Sequence, residues 1–96
     1  MKIAVSSEGP GLESMVDPRF GRAAGFVLLD TETRQTTYLD NGASQMAAQG
    51  AGIQTAERLA QAGVTVVLSG FVGPKAFTAL QAAGVAVFQD MDKGSV

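Results

Sequence analysis

Ninety-six residues, 46% of them hydrophobic and 17% charged, suffice for one compact domain and are too few for two. The complete lack of Cys and His excludes a disulfide framework, a zinc ribbon, a cysteine-ligated iron-sulfur centre and any nucleophile activated by imidazole. A net charge of -2 and a pI near 4.8 have the wrong sign for a phosphate-backbone binder, so nucleic acid is not an expected partner.

The short apolar run around residues 3–5 predicts a buried strand, stopped by the Ser-, Gly- and Pro-rich residues 6–11. That run is too short for a signal peptide, and no stretch reaches the roughly 18 apolar residues of a membrane span, so a soluble cytoplasmic protein is expected. Asp17-Pro18-Arg19-Phe20-Gly21-Arg22 then places a rigid turn, an aromatic ring and two cations in one loop. Residues 25–30 and 35–39 are β-prone and joined by a polar connection, which predicts an antiparallel hairpin. Asp40-Asn41-Gly42 follows as a turn signal.

In the second half apolar residues recur at helical spacing, first Ile53, Ala56, Leu59 and Ala60, then Phe77, Leu80 and Ala83, predicting two amphipathic helices. Residues 59–66 are echoed 21 positions later by residues 80–87. Each copy reads as a helix end, a glycine cap in the left-handed region (Gly63, Gly84) and a buried strand. Pro74 suits the first turn of the second helix. The element order is therefore β-β-β-α-β-α-β: one domain over residues 1–96 with its core in about 1–89. It forms an α/β mixed five-stranded sheet flanked by helices, with the first and last two strands parallel and the hairpin extending one edge. Ser95 would cap a helix for which the sequence supplies no body, so the tail is short or truncated.

Ligands of open α/β sheets bind beyond the carboxyl ends of the strands, beside helix N-termini, where backbone N–H groups and the helix dipole point. This sequence puts Ser6 and Ser7 after the first strand, the run Met46 to Gly52 before the first helix, and Gly70-Phe71-Val72-Gly73-Pro74-Lys75 after the fourth strand. The glycines are expected to allow close backbone approach to a ligand. Neither helix begins with an acidic residue, and Lys75 at the second position of its helix opposes the macrodipole at a cost of about 0.3–1 kcal/mol, which points to an external anion. Arg19 and Arg22 are placed to join it.

Plainer uses exist for the same residues. The glycines match neither a Walker A loop nor a Rossmann fingerprint and serve equally as turn formers. Arg22 can pair with Asp17 to pin its own loop. Met46 and Phe71 can simply pack, although a thioether suits copper(I) or a sulfide surface. Ser6 and Ser7 have no histidine to activate them, which leaves only Lys or carboxylate variants of nucleophilic catalysis, and no enzyme is expected. Asp17, Asp30, Asp40 and Asp90 lie in separate segments without metal-ligand spacing.

Three motifs, residues 17–23, 49–53 and 70–77, occur in the order found in the dinitrogenase iron-molybdenum cofactor-binding family, which the chain resembles from residue 1 to about 89. The run from Met46 to Gly52 is most similar to members from anaerobic bacteria. The resemblance implies a ribonuclease-H-like fold without nuclease activity and a noncovalently held molybdenum-copper sulfide cluster, with an iron-molybdenum-type cluster as the alternative. It also implies association with MinD-type P-loop ATPases.

Some relatives carry His where Arg19 and Gln49 stand, so imidazole ligation is impossible here. A cluster that brings its own sulfide ligands and negative charge needs a cationic, N–H-lined, partly apolar pocket instead. The expected pocket takes Arg19, Phe20, Gly21 and Arg22 from the first motif, and Gly50, Ala51, Gly52 and Ile53 from the second. Gly70, Phe71, Val72, Gly73 and Lys75 come from the third, with Met46, Ser6 and Ser7 nearby. A cluster-binding carrier is the expected function. A docking module for an ATPase complex and an anion-processing enzyme are the competing readings.

Overall fold

Strand β1 (Lys2–Ser7) is the middle strand of the sheet. It is followed by β2 (Gly25–Asp30), β3 (Thr36–Asp40), helix α1 (Ala51–Gln61), β4 (Val66–Leu68), helix α2 (Pro74–Ala82) and β5 (Ala86–Phe88). The computed structural model describes residues 1–9, 16–41 and 51–89; Gly42, Asp90 and Ser95 lie outside them. The sheet order is β3-β2-β1-β4-β5. β1, β4 and β5 are parallel, and the β2–β3 hairpin adds antiparallel strands on the other side. The expected element order and mixed sheet are both present.

The hairpin's second strand begins one residue later than expected. Arg34 takes a left-handed conformation (φ 62°), and its N–H closes the turn on the Asp30 carbonyl at 2.7 Å. The Asp30 carboxylate accepts the N–H groups of Glu32 (2.9 Å) and Thr33 (3.4 Å). These local bonds extend the turn and leave Gln35 outside the strand.

Side chains alternate across the strands. Ala4, Phe26, Leu28 and Val67 pack in one cluster with Ala56 and Leu59 of α1 and Ala76 and Leu80 of α2. Phe20, from the loop before β2, meets Phe26 edge to face with ring centroids 5.3 Å apart. The inward face of α1 departs from expectation: Ala51, Thr55, Ala56 and Leu59 are buried, Ala60 is half-buried, and Ile53 is 37% exposed. Thr55 takes an inward place in that face because its hydroxyl donates to Asn41 Oδ1 at 3.0 Å, which satisfies it on burial. Ala83 follows α2 as its exposed C-cap residue and adds nothing to the core.

The repeated unit has the same chemistry in both copies. Gly63 (φ 86°) and Gly84 (φ 80°) occupy the left-handed region. After each, the next N–H reaches back to a helix carbonyl, Val64 to Leu59 at 3.1 Å and Val85 to Leu80 at 2.9 Å, which is the six-to-one bond of a Schellman cap. At α1 the Lys2 ammonium also donates to the Ala62 carbonyl at 2.8 Å, a cation placed on the negative end of the helix dipole. The caps turn the chain directly into β4 and β5, so both strands deliver their carboxyl ends to the same edge of the sheet as β1.

Candidate functional site

Two arms meet at that edge. The first is the loop from Val16 to Ala24. Its Asp17 N–H donates to the Ser6 carbonyl (2.9 Å), and Ser6 Oγ donates to the Asp17 carbonyl (2.6 Å) while sharing a hydroxyl bond with Ser69 Oγ (2.9 Å). The Asp17 side chain, 1% exposed, accepts the Arg19 backbone N–H at 3.0 Å and the guanidinium Nε and Nη2 at 3.1 Å each. Burial pushes this carboxyl up, but the Arg19 hydrogen bonds and charge outweigh that and hold it below the usual carboxylate value. The same pair raises the Arg19 guanidinium.

The second arm runs from Ser69 into α2 and is stitched to the first. Phe71 N–H donates to the Pro18 carbonyl (2.8 Å), and Phe20 N–H donates to the Phe71 carbonyl (3.2 Å). Helix α2 starts at Pro74 behind Gly73, with no side-chain cap and no acidic residue in its first turn. Its first internal bond runs from Phe77 N–H to the Gly73 carbonyl (2.9 Å). The N–H groups of Lys75 and Ala76 therefore have no intrahelical acceptor.

Glycines make these approaches possible. A Cβ on Gly70 would sit 2.5 Å from the Pro18 carbonyl oxygen, one on Gly21 would sit 2.7 Å from Gly52 N, and one on Gly52 would sit 3.0 Å from the Ala76 Cβ. Behind the loop, Asn41 Nδ2 donates to the carbonyls of Gly21 (3.2 Å) and Ala23 (3.0 Å). Its Oδ1 accepts from Thr55 Oγ1 of α1 at 3.0 Å.

Between the arms opens a cleft of about 970 Å³, lined by Pro18, Arg19, Phe20, Gly21 and Arg22 from the loop, Ala51, Gly52 and Ile53 from α1, and Phe71, Gly73, Pro74, Lys75 and Ala76 from the second arm. Three cations and no carboxylate are in that wall. Arg19 is offset by Asp17 behind it, whereas Lys75 makes no ion pair among the described residues. Phe71, 65% exposed, stands at the rim with Ile53. Among the described residues no group of His, Cys, Asp and Glu is arranged to hold a metal ion.

Most of the sequence candidates converge, with corrections. Ser6 and Ser7 are fully buried in β1 and bonded within the protein, Ser7 to Gly9, so neither lines the cleft. Gly70 and Val72 also stay behind the wall. Of the amides from Gly70 to Gly73, that of Phe71 serves Pro18 and that of Val72 serves Gln89 Oε1 at 2.9 Å, which leaves fewer donors than expected. At Gly21, Gly52 and Gly70 the space a Cβ would need is taken by neighbouring protein, whereas at Gly73, on the cleft wall, that space is open. Arg19 is a cation that pairs with Asp17, the role expected of Arg22. Met46 and Gly50 lie outside the described residues.

Pro18, Pro74 and Ala76 were not foreseen as wall residues. Asn41, Thr55 and Gln89 were not foreseen as its supports. The only signal for Asn41 was its place in an Asp-Asn-Gly turn, and nothing local shows that its amide is buried.

The fold and cleft define a small α/β protein with a basic, partly apolar cavity at the carboxyl ends of its parallel strands. The chain belongs to the dinitrogenase iron-molybdenum cofactor family, whose model matches residues 1–96. It is similar to the apo form of the orange protein from Desulfovibrio gigas, with 59% identity and a TM-score of 0.96 over 99% of this chain and 79% of that one. A putative NifB protein from Thermotoga, described as a member of the DUF35 family, shares 36% identity with a TM-score of 0.85 over 99% of this chain and 79% of its own. Among curated proteins nothing matches. No helix among the described residues is long and apolar enough to cross a membrane.

Proposed function

We propose that the cleft holds an anionic metal-sulfide cluster noncovalently, molybdenum-copper in composition, and that the protein is its carrier. The observation that carries this reading is the wall itself: three cations, no carboxylate and no thiolate or imidazole. Such a donor set cannot coordinate a bare metal ion, but it fits a group that arrives with its own ligands and a negative charge. The family description and the similarity to the orange protein support a metal-cluster cargo.

Each residue has a physical task in this reading. Lys75 and Arg22 offset the charge of the cargo from two sides, and the Lys75 and Ala76 amides donate at the positive end of α2. Phe71, Ile53, Pro18 and Pro74 give a polarisable sulfide surface an apolar wall, which lowers the local dielectric on that side and strengthens the charge interactions beside it. Without His or Cys the site binds its cargo and has no imidazole or thiolate to act on it.

The test mixes metal-free protein with tetrathiomolybdate and copper(I) without oxygen, desalts it, and records the visible spectrum and metal content beside an Arg22→Glu, Lys75→Glu variant. The wild type should keep colour and metal. Reversing both charges should weaken retention at least about a hundredfold, since a unit charge a few ångströms away is worth several kcal/mol at an effective dielectric near 20. Loss of colour from both proteins overturns the reading.

A further inference from the structure

The geometry points to Asn41 and Thr55 as a positioning pair that holds the cationic loop at a fixed distance from the start of α1, and so sets the width of the cleft without touching its contents. The inference rests on the cluster-binding reading for its consequence and on the hydrogen bonds for its mechanics. Asn41 is 1% exposed and Thr55 is fully buried, and neither lines the cleft. Asn41 spends its whole amide on the link: both Nδ2 protons go to the loop carbonyls of Gly21 and Ala23, and Oδ1 takes the Thr55 hydroxyl. Its backbone N–H donates to the Ala24 carbonyl as well (3.0 Å), so β3, the loop and α1 are joined at one residue.

The position of this link explains its leverage. Gly21 is both the residue whose carbonyl Asn41 holds and the residue packed against the first turn of α1. Arg22 follows it directly, and Arg19 and Phe20 precede it on the same loop. Thr55 lies one helical turn beyond Ala51, the first wall residue of α1. A hydroxyl lost at position 55 leaves a buried carbonyl-type acceptor unpaired, and the loop can relax away from the helix. Outer bonds that orient the ligating side chains of metal sites change affinity by about 10–100-fold, and this link orients a binding loop in a comparable way.

Two substitutions separate positioning from simple stability. Thr55→Val keeps the shape and removes the hydroxyl, whereas Thr55→Ser keeps the hydroxyl and removes a methyl group. Both should lower the denaturation midpoint. With tetrathiomolybdate and copper(I) as the probe, Thr55→Val should bind about tenfold or more weakly and Thr55→Ser within about twofold of wild type. Amide hydrogen exchange without any probe should accelerate in Thr55→Val at Phe20, Phe71 and Asn41, which lie along the link, while the Leu28 and Val67 amides of the central strands follow only the global stability.

Equal affinities for Thr55→Val and wild type overturn the proposal, as does affinity that merely tracks stability in both variants. If the wild type itself keeps no probe, the cluster reading fails and the exchange measurement alone decides: selective acceleration along the link upholds the positioning pair, and a uniform change overturns it.

Discussion

The two arms of the cleft are built on opposite plans. The loop from Val16 to Ala24 is locked: its carboxylate is buried and paired, Asn41 and Ser6 hold its backbone, and Gly21 leaves no space against α1. The arm that enters α2 keeps its free valences instead, with an uncapped helix start, a lysine without an ion pair among the described residues, and an exposed ring. In the proposed cluster-binding reading this contrast amounts to preorganisation: the first arm holds Arg19 and Arg22 in place, and the second adds Lys75 and the N–H groups at the start of α2.

The largest test of that contrast is Gly21→Ala. The added methyl would stand 2.7 Å from Gly52 N and 2.8 Å from its Cα, backbone that cannot swing aside as a side chain would. Urea denaturation should show a loss of about 2–3 kcal/mol, in the range of overpacked interiors. Gly73→Ala, with nothing within 4 Å of its Cβ, should stay within about 0.5 kcal/mol of wild type. Equal effects at the two glycines would erase the distinction between the arms.

Next in size is the acid response of the locked arm. The folded-state Asp17 carboxyl lies below its ordinary value, so its contribution is complete above the unfolded value near 3.9 and disappears as pH falls through the folded value. The stability-versus-pH curve should therefore drop at acid pH, and Asp17→Asn should flatten that drop while lowering stability at neutral pH by about 1.5–3 kcal/mol, the worth of hydrogen bonds to a charged group. An unchanged acid limb in Asp17→Asn would show that the pair does not lock the loop.

The smallest effect sharpens the open arm. Gly73→Asp gives α2 the side-chain cap and negative charge that it lacks, and should stabilise the protein by about 0.5–1 kcal/mol. The same carboxylate would occupy the donors left for the cargo, so retention of tetrathiomolybdate and copper should fall. A variant that gains stability and keeps full retention would mean that the start of α2 is not part of the receptor.

Much of this architecture is legible in the chain itself. The apolar spacing of Leu59 and Leu80, the glycines at 63 and 84 and the proline at 74 specify helices, caps and strand starts, because backbone conformation and side-chain periodicity are settled within a few residues. The convergence of Arg19, Arg22, Phe71 and Lys75 follows from the same order of elements, since parallel strands deliver their carboxyl ends to one edge. Periodicity finds α1 but leaves its roll open by one residue, so that Thr55, bonded to Asn41, is buried and Ile53 stands in the cleft wall, where the second motif also puts it.

What only the tertiary structure decided is how each polar and glycine residue is spent. Gly70 meets Pro18, Gly21 meets Gly52, Val72 gives its amide to Gln89, and Asn41 joins Gly21 to Thr55. These partners lie far apart along the chain, and their bonds depend on ångström-scale distances that no local pattern encodes. Sequence by itself determined which elements form and which edge they share. Packing determined which glycines face protein, which amides remain for a ligand, and which arm of the cleft is fixed, because close packing and hydrogen-bond saturation are properties of the assembled interior.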